Sequence, residues 1–330
     1  MIELRTPNGL ISFVPETLEE DKSPRFNAEA DNIEAVKYYN DNGYVIFKNC
    51  ITKEQCEKLK NLWEKQIKSF KGKIYRQTTA KLEKNKFNEN NWIMNPILNL
   101  QSLNPDLFGE IKKAAETEVF SNIYVCKALK LILGEKPKIV QSMYFEGNSA
   151  TWEHQDTYYL DSEKIGYMVA GWLALEEIKA DAGRFFICPE SHKLDLDKQN
   201  INNNYATNHD KYIQEVVSMI KKKNMSIKAP YMSIGDVLFW NSKTIHGSLD
   251  SQSKTNSRSS ITLHAIPETH NLLQFQSRIR KLDFDDLGNS LIHRPKDQSR
   301  FTNKLIFQIE SNFPSLFHWL KNKIIKSLFR

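Results

Sequence analysis

Two histidines, an aspartate and an arginine carry the chemistry that this sequence suggests. In His154-Gln155-Asp156 an imidazole and a carboxylate stand two residues apart, and in an extended segment that spacing places both side chains on one face. His246, in a short loop after the apolar run 237–240, is the candidate for a third ligand. Two histidines and one carboxylate form the facial triad that leaves positions on Fe(II) open for a bidentate cosubstrate and dioxygen.

Arg258 indicates what such a cosubstrate would be. In a strand, Arg258, Ser260 and Thr262 share one face, and a buried guanidinium flanked by hydroxyls suits the distal carboxylate of a dicarboxylate. Other interpretations remain open at this point. A chain with eight histidines contains a His-x-Asp pair by chance often enough, and Arg258 follows a polar loop, 250–257, that also fits a surface position.

The elements that must position these residues change in character after Pro137. Five short β-branched or aromatic runs, bounded by turn residues, predict an all-β sandwich or barrel. These runs are 139–146, 167–175, 184–188, 235–240 and 258–265. The interrupting segment 194–230, with one helix expected over 210–223, is interpreted as an insertion over one end of the barrel that shapes substrate choice.

Residues 28–136 are expected to form a mainly helical N-terminal part. A helical pattern breaks at Asn42-Gly43 before a short strand over 44–47. Thr52, with Gln55 three residues on, predicts the capping box of the next helix, and one further helix is expected from 107 to 133, ending at Gly134. The predicted fold class is therefore mainly β with flanking helices.

Several of these segments together resemble the successive signatures of the phytanoyl-CoA dioxygenase family. The resemblance covers roughly residues 139–266 and extends weakly to 42–46. It is carried, in order, by His154-Gln155-Asp156, Gly171-Trp172-Leu173-Ala174-Leu175-Glu176, Pro189-Glu190-Ser191-His192-Lys193, Gly235-Asp236-Val237, His246-Gly247-Ser248 and Arg258. It implies a double-stranded β-helix (a cupin-like jelly roll) and an oxygenase that depends on Fe(II) and 2-oxoglutarate.

The resemblance also implies roles for individual residues. Iron would be bound by His154, Asp156 and His246, and Arg258 would pair with the distal carboxylate of 2-oxoglutarate. Further candidates for the cosubstrate pocket are Ser248, Trp172, Gln141, Met143 and Ser260. The family tends to add one residue from the N-terminal half, for which Lys73, Tyr75, Arg76 and Gln77 are open alternatives. Substrate-pocket candidates are Tyr158, Tyr159, Arg76 and His264, with packing as the alternative role for the two tyrosines and for His264.

The predicted reaction is hydroxylation of an aliphatic C–H bond in a small or carrier-linked metabolite, with O2 consumed and succinate and CO2 released. Desaturation or cyclisation would need the same ligands. Two other classes are a catalytically silent β-helix that binds a ligand and a cupin-like metalloprotein without a cosubstrate. Residues 1–330 are interpreted as a single oxygenase domain with a β core over 137–266 and a basic extension over 267–330.

Composition limits the partners. No apolar run is long enough for a membrane span, residues 1–15 lack the order of a signal peptide, and the four cysteines form no Cys-x-x-Cys pair, so a cytoplasmic protein is expected. Residues 270–330 hold 11 basic and 5 acidic side chains, which accounts for the net charge of the whole chain. A surplus confined to one segment is weak support for a nucleic-acid groove, and no nucleic-acid partner is predicted.

Residues 314–330 predict an amphipathic C-terminal helix. Leu316, Phe317, Leu320, Ile324 and Leu328 recur at helical spacing, and Lys321, Lys323, Lys326 and Arg330 supply a basic face. Such a helix suits peripheral contact with an anionic membrane surface. The alternative, which the prevalence of packed amphipathic helices favours, is a terminal helix that docks on the domain.

Overall fold

The computed structural model describes residues 1–29, 33–147, 149–196, 208–317, 319–320 and 323. The strands β1 to β19 are, in chain order, Ile2–Arg5, Ile11–Val14, Arg25–Asn27, Tyr44–Lys48, Ile74–Tyr75, Leu82–Glu83, Ile97–Leu98, Pro137–Phe145, Thr151–His154, Leu160–Ser162, Val169–Ala174, Phe185–Ile187, Val237–Asn241, His246–Ser248, Ser260–Pro267, Leu272–Gln274, Arg278–Arg280, Asp285–Asp286 and Leu291–Ile292. The helices α1 to α6 are Ile33–Asn42, Lys53–Leu62, Pro105–Ala115, Ile123–Leu133, His209–Lys222 and Phe301–Asn312.

Two sheets face each other and form the core. The larger has the strand order β18-β19-β8-β15-β11-β13-β4-β3, with β7 beside β8, and the smaller has the order β12-β14-β9. The register places Met143 opposite Thr262, and Thr262 opposite Trp172. Phe185 of the smaller sheet stacks on Trp172, with ring centroids 5.6 Å apart. This arrangement confirms the mainly β fold class and places the interior between the two sheets.

The opposite face of the larger sheet packs on helices. Ile261, Leu263 and Phe239 alternate with the interior residues along their strands, as a period of two requires, and belong to one buried cluster with the helices. The Trp63 ring stacks on Tyr144 of β8 with centroids 3.8 Å apart. The N-terminal helices therefore support the sheet from the side that faces away from the interior.

The predicted N-terminal elements are found, with one correction. Thr52 and Gln55 form the predicted capping box of α2. The single helix expected from 107 to 133 is wrong, because the segment divides into α3 and α4. The Asn122 side chain accepts hydrogen bonds from the backbone N–H groups of Tyr124 and Val125 and so begins a new helix. That helix ends at Gly134, whose φ of +76° is left-handed.

Helix α5 lies inside the predicted insertion, of which residues 197–207 fall outside the described part of the chain. Its buried residues Tyr212 and Val216 join a second cluster that includes Leu4 and Val14 of the β1–β2 hairpin. The hairpin pairs Ile2 with Val14. The sequence pattern predicts no element over residues 1–15, whereas in the structure Leu4 and Val14 of this hairpin pack in one cluster with α5.

The C-terminal region contains more helix than was predicted. Helix α6, over 301–312, precedes the expected one, and residues 314–317, 319, 320 and 323 are also helical. The remaining positions of the predicted helix 314–330, namely 318, 321, 322 and 324–330, lie outside the described residues. None of the described helices combines the length and the apolar character needed to cross a membrane.

Candidate metal centre

Three predicted ligands meet at one end of the smaller sheet. His154 ends β9, His246 begins β14, and these two residues are register partners. Asp156 follows two residues after His154 in a short 3₁₀ turn. Each residue offers one ligand atom, and these atoms lie within 4.8 Å of one another. The spacing suits a single metal ion bound by two imidazoles and one carboxylate.

Backbone carbonyls fix the orientation of both imidazoles. The Nδ1 atom of His154 lies 2.8 Å from the Trp152 carbonyl oxygen, and that of His246 lies 2.9 Å from the Thr244 carbonyl oxygen. A carbonyl only accepts hydrogen bonds, so Nδ1 carries a proton in each ring and Nε2 is the nitrogen that faces the candidate metal site. The Nε2 atoms lie 3.9 Å and 3.5 Å from Asp156 Oδ1. Such support is usual for metal-binding histidines.

The surroundings also hold the ligands in the charge states that a metal needs. Burial, followed by the nearby imidazole of His246, lowers the pKa of His154 to about 3, so this ring is neutral. Burial alone would raise the pKa of Asp156, but the imidazoles of His246 and His264 hold it well below its usual range. The result is a neutral donor beside an ionised carboxylate.

Both oxygens of the Asp156 carboxylate have defined neighbours. Oδ1 faces the two histidine ligands, whereas Oδ2 accepts a hydrogen bond of 2.8 Å from the Trp240 indole N–H. The Nε2 atom of His264 lies 3.5 Å from the same Oδ2. The indole and His264 thus stabilise one oxygen and leave the other directed at the candidate ligand set.

Arg258 carries a buried positive charge that an anionic ligand would neutralise. Its residue is 3% exposed, its guanidinium lies about 5 Å from the rings of Phe145 and Trp172, and its Nε and Nη1 atoms have no partner among the described residues. The indole N–H of Trp172 is unpartnered there as well. Burial lowers the pKa of Arg258 to about 9. A buried charge without a counter-ion is costly, and a carboxylate ligand would remove that cost.

A continuous row of rings links Arg258 to the ligand set. Trp172 lies against Arg258, Phe185 stacks on Trp172, and the Phe185 and His246 rings are stacked with centroids 5.4 Å apart. The candidate metal ligands and the Arg258 guanidinium therefore line the same interior. Both fit the groups that the resemblance implies: Fe(II) at the two imidazoles and the carboxylate, and 2-oxoglutarate with one carboxylate on Arg258.

Other predicted cosubstrate residues lie on this interior. Gln141 and Met143 of β8 are register partners of His264 and Thr262, so they share the Arg258 face of the sheet. The hydroxyl of Ser260 is buried and donates to the Arg258 carbonyl. Ser248, two residues beyond His246, accepts a hydrogen bond from the Thr151 backbone N–H. None of these positions contradicts the predicted pocket.

The two predicted tyrosines separate into different environments. Tyr158 stacks on Tyr212 of the insertion with centroids 3.9 Å apart and is buried, so it belongs to the packing of the insertion. Tyr159 lies beside the ligand His154, with centroids 5.8 Å apart, and its hydroxyl is 2.8 Å from Nε2 of His209. The half-exposed Trp152 contacts His209 edge-on. Tyr159, Trp152 and His209 therefore form an aromatic wall at the edge of the metal centre.

The four alternatives from the N-terminal half all have other surroundings. The guanidinium of Arg76, which is predicted for the substrate pocket, donates to acceptors on Glu83, Asn85 and Asn95. The Tyr75 hydroxyl donates to Glu310, and Lys73 donates to the Ser311 carbonyl. Gln77 is exposed. The acceptors that these side chains use lie in the segment 83–95 for Arg76 and in α6 for Lys73 and Tyr75. The sequence pattern does not indicate these partners.

Sequence reasoning missed three residues that shape the site. The sequence predicts Trp240 only as part of a strand, although its position six residues before His246 indicates that it lies near this ligand. Phe185 was likewise only a strand residue. Tyr212 accepts from the Gln155 backbone N–H over 2.7 Å and donates to the Gln155 carbonyl over 3.1 Å. Since Gln155 lies between His154 and Asp156, this tyrosine from the insertion anchors the segment that carries both candidate ligands. No local sequence pattern predicts such a contact.

Comparison with known proteins gives a family and a fold. The family model described as Phytanoyl-CoA dioxygenase (PhyH) matches residues 39–260. No curated protein matches the sequence. Among solved structures, the carbocyclase SnoK of nogalamycin biosynthesis, described as non-heme and alpha ketoglutarate dependent, is similar with a TM-score of 0.55 at 13% identity, over 76% of this chain and 89% of SnoK.

Two further structures agree. EctD from S. alaskensis, solved with 2-oxoglutarate and 5-hydroxyectoine, is similar with a TM-score of 0.54 at 12% identity, over 88% of this chain and 95% of EctD. The epimerase SnoN, in complex with Fe3+, alpha ketoglutarate and nogalamycin RO, has a TM-score of 0.52 at 13% identity, over 80% of this chain and 96% of SnoN. Likeness at this level of identity concerns the fold.

Proposed function

The chain belongs to the phytanoyl-CoA dioxygenase family of Fe(II)- and 2-oxoglutarate-dependent oxygenases, and we propose that it hydroxylates an aliphatic carbon of a small or carrier-linked metabolite. The observation that carries the proposal is the buried guanidinium of Arg258, whose Nε and Nη1 atoms have no partner among the described residues, on the same interior as His154, Asp156 and His246. A cupin-like metalloprotein without a cosubstrate has no use for that cation. As part of the proposal, residues 1–330 act as one oxygenase domain.

In this proposal His154, Asp156 and His246 bind Fe(II), and Arg258 binds the distal carboxylate of 2-oxoglutarate. Together, bound iron and 2-oxoglutarate supply the oxidising power that inserts one oxygen atom of O2 into a C–H bond and releases succinate and CO2. The protein supplies position and exclusion of water. The carbonyls of Trp152 and Thr244 keep both Nε2 atoms available, and the Trp240 N–H occupies Asp156 Oδ2 so that Oδ1 is free to bind metal.

The aromatic wall of Trp152, Tyr159 and His209 is the proposed contact surface for the substrate. It adjoins His154, which is partly exposed, and it combines apolar ring faces with the hydroxyl of Tyr159. His209 comes from the insertion, which supports the expectation that this segment influences substrate choice. A substrate with an apolar body and at least one hydrogen-bonding group suits such a wall.

We also assign the enzyme to the cytoplasm. All four cysteines are buried and free of disulfides, which suits a reducing compartment. Membrane contact, predicted for residues 314–330, is a separate proposal that depends on the exposed surface of the preceding helix α6.

Anaerobic titration of the apoprotein with Fe(II) and 2-oxoglutarate tests the function. The wild type should develop the weak visible charge-transfer absorption of an iron-bound 2-oxo acid. Arg258→Gln should keep its iron but need a much higher 2-oxoglutarate concentration for the absorption, with Arg258→Lys intermediate because it retains the charge and loses the planar pair of donors. Arg278→Gln, at an exposed position, is the matched control.

The outcomes separate the alternatives. Iron binding without the absorption in the wild type would overturn the proposal in favour of a cupin-like or ligand-binding protein. Equal titrations of wild type and Arg258→Gln would remove Arg258 from the cosubstrate site. If the absorption forms, screening of candidate metabolites by succinate release identifies the substrate class, and the mass of the product distinguishes hydroxylation from desaturation or cyclisation.

A further inference from the structure

Helix α6 is amphipathic in the opposite sense to a helix that packs on a protein core. Its inward residues are polar except for Phe307, and Glu310 is 1% exposed. Four of its seven exposed residues are large and apolar, with Phe301 79% exposed, and the other three are Thr302, Gln308 and Asn312. We define the α6 apolar face as Phe301, Leu305, Ile306, Ile309, Phe313 and Leu316, each at least 42% exposed.

Polar contacts hold this helix in place. The Tyr75 hydroxyl donates to Glu310 Oε2 over 2.7 Å, Lys73 donates to the Ser311 carbonyl over 2.6 Å, and Lys304 pairs with Asp106. Phe307 meets Tyr75 edge-on. Because these contacts all lie on the inward side, the orientation of α6 is set and its apolar side chains cannot turn inward without breaking them.

The apolar character continues beyond α6. Trp319 and Leu320 are 52% and 45% exposed. Single exposed apolar residues are ordinary on a protein surface. A contiguous set on one helix and its continuation indicates a surface that another protein or a membrane covers. Tryptophan at the edge of such a surface is typical of a membrane interface, where its ring is buried and its N–H stays wet.

The positive charge of the C-terminal sequence indicates which partner covers this surface. After Glu310 the sequence contains four basic residues and no acidic one, namely Lys321, Lys323, Lys326 and Arg330. Arg300, beside Phe301, is also exposed. A second copy of this chain would bring two such basic segments together and repel. An anionic lipid surface attracts them, with about 1 kcal/mol for each basic residue near the surface.

We propose that the α6 apolar face docks on the surface of a bilayer containing anionic lipids, which the surplus of positive charge in the sequence after Glu310 favours. The helix would lie in the plane of the interface, as amphipathic helices with basic flanks do. The enzyme would then act where membrane-associated or lipid-carried substrates are concentrated. This proposal does not depend on the chemistry of the metal centre.

Vesicle flotation with the full-length protein tests the proposal. Binding to vesicles of phosphatidylcholine with phosphatidylglycerol should exceed binding to phosphatidylcholine alone by about tenfold or more, and high salt should weaken it. The double variant Leu305→Ser/Ile309→Ser should lose binding to the anionic vesicles by about tenfold, since it removes apolar area from the contact. Ile123→Ser/Ile279→Ser, at exposed isoleucines elsewhere on the surface, should bind as the wild type does.

The remaining outcomes overturn the proposal. Protein that stays unbound with every vesicle composition, or equal loss of binding in both double variants, would show that the face has no role in lipid contact. Light scattering after gel filtration addresses the second copy. A wild-type dimer that Leu305→Ser/Ile309→Ser converts to a monomer would identify the face as an interface between copies. Circular dichroism verifies that both variants are folded.

Discussion

The indole N–H of Trp240 donates a hydrogen bond of 2.8 Å to Oδ2 of Asp156, the carboxylate oxygen that faces away from the two histidine ligands. Trp240 lies on the larger sheet and Asp156 follows the smaller one. One hydrogen bond therefore connects the two sheets at the metal centre, and it fixes which oxygen is presented to the ligand set.

Trp240→Phe should weaken Fe(II) binding by about tenfold to a hundredfold while leaving the protein folded. The variant keeps an aromatic ring beside Phe185 and His246 but removes the N–H that orients the carboxylate. Fe(II) affinity is measured anaerobically by competition with a chelator. Trp319→Phe, at an exposed position, is the control, and an unchanged affinity in Trp240→Phe would contradict the assigned role.

Gly247→Ala should destabilise the protein by about 1–3 kcal/mol and impair metal binding. A Cβ atom at this position would lie 2.6 Å from the Thr151 carbonyl oxygen and 2.8 Å from that of Trp152, so β14 and β9 must separate, and with them His246 and His154.

Gly109→Ala is the matched control for this substitution. Nothing lies within 4 Å of the Cβ atom that it adds, and in a helix the change should stabilise by up to about 1 kcal/mol. Urea denaturation of both variants provides the comparison. A Gly247→Ala protein as stable as wild type would show that the two strands are less tightly paired than described.

Tyr212→Phe should cost about 1–3 kcal/mol of unfolding free energy and weaken Fe(II) binding, although residue 212 is not a proposed ligand. The phenol satisfies both the N–H and the carbonyl of Gln155, and a buried N–H that loses its partner pays its desolvation penalty. Denaturation and chelator competition measure the two effects. Tyr167→Phe, at an exposed tyrosine, should change neither, and an identical result for Tyr212→Phe would separate the insertion from the metal centre.

Asp236→Asn should gain stability relative to the wild type as pH rises from about 4 to 7. Burial raises the pKa of Asp236 to about 6, above the value of about 3.9 in an unfolded chain. The folded protein therefore holds a proton in this window that the unfolded chain has lost, and rising pH reduces the stability of the wild type by up to about 3 kcal/mol. The amide has no such titration.

Urea denaturation at several pH values measures this difference. The Asp236 carboxylate accepts hydrogen bonds from the backbone N–H groups of Asn49 and Ser233 through separate oxygens. Because an amide has one oxygen, the Asp236→Asn variant loses one of these hydrogen bonds at every pH. The slope with pH is therefore the diagnostic quantity. Parallel profiles for wild type and Asp236→Asn would contradict the raised pKa, and the exposed Asp41→Asn is the control.

Local patterns predicted the parts of this protein that local physics determines. Thr52 with Gln55 identified a helix start, and the alternation around Arg258 correctly placed Thr262 and Ile261 on opposite faces of the sheet. The His-x-Asp spacing and the order of the family signatures indicated the set of His154, Asp156 and His246, whose ligand atoms lie within 4.8 Å of one another. The helix start and the strand alternation depend on residues close together in sequence, whereas His246 is distant from the other two and was indicated by the resemblance.

What could not be predicted depends on contacts between distant segments. The hydrogen bonds of Arg76 to Glu83, Asn85 and Asn95 depend on how the segment 76–95 folds back on itself. The Tyr212 contact with Gln155 spans the insertion, and no periodicity encodes it. The orientation of α6 was also hidden, because an apolar stripe indicates that a face is covered without indicating whether protein or another surface covers it.

The two hydrogen bonds between the Tyr212 hydroxyl and the backbone of Gln155 set a condition on engineering this enzyme. Exchanging the segment 194–230 for that of a relative is an obvious route to a new substrate range, since His209 of the aromatic wall comes with it. The same exchange removes the phenol that anchors Gln155. A transplanted loop must therefore supply a hydroxyl that binds the backbone of Gln155. Without it, the chimera would gain a new specificity but hold His154 and Asp156 less firmly.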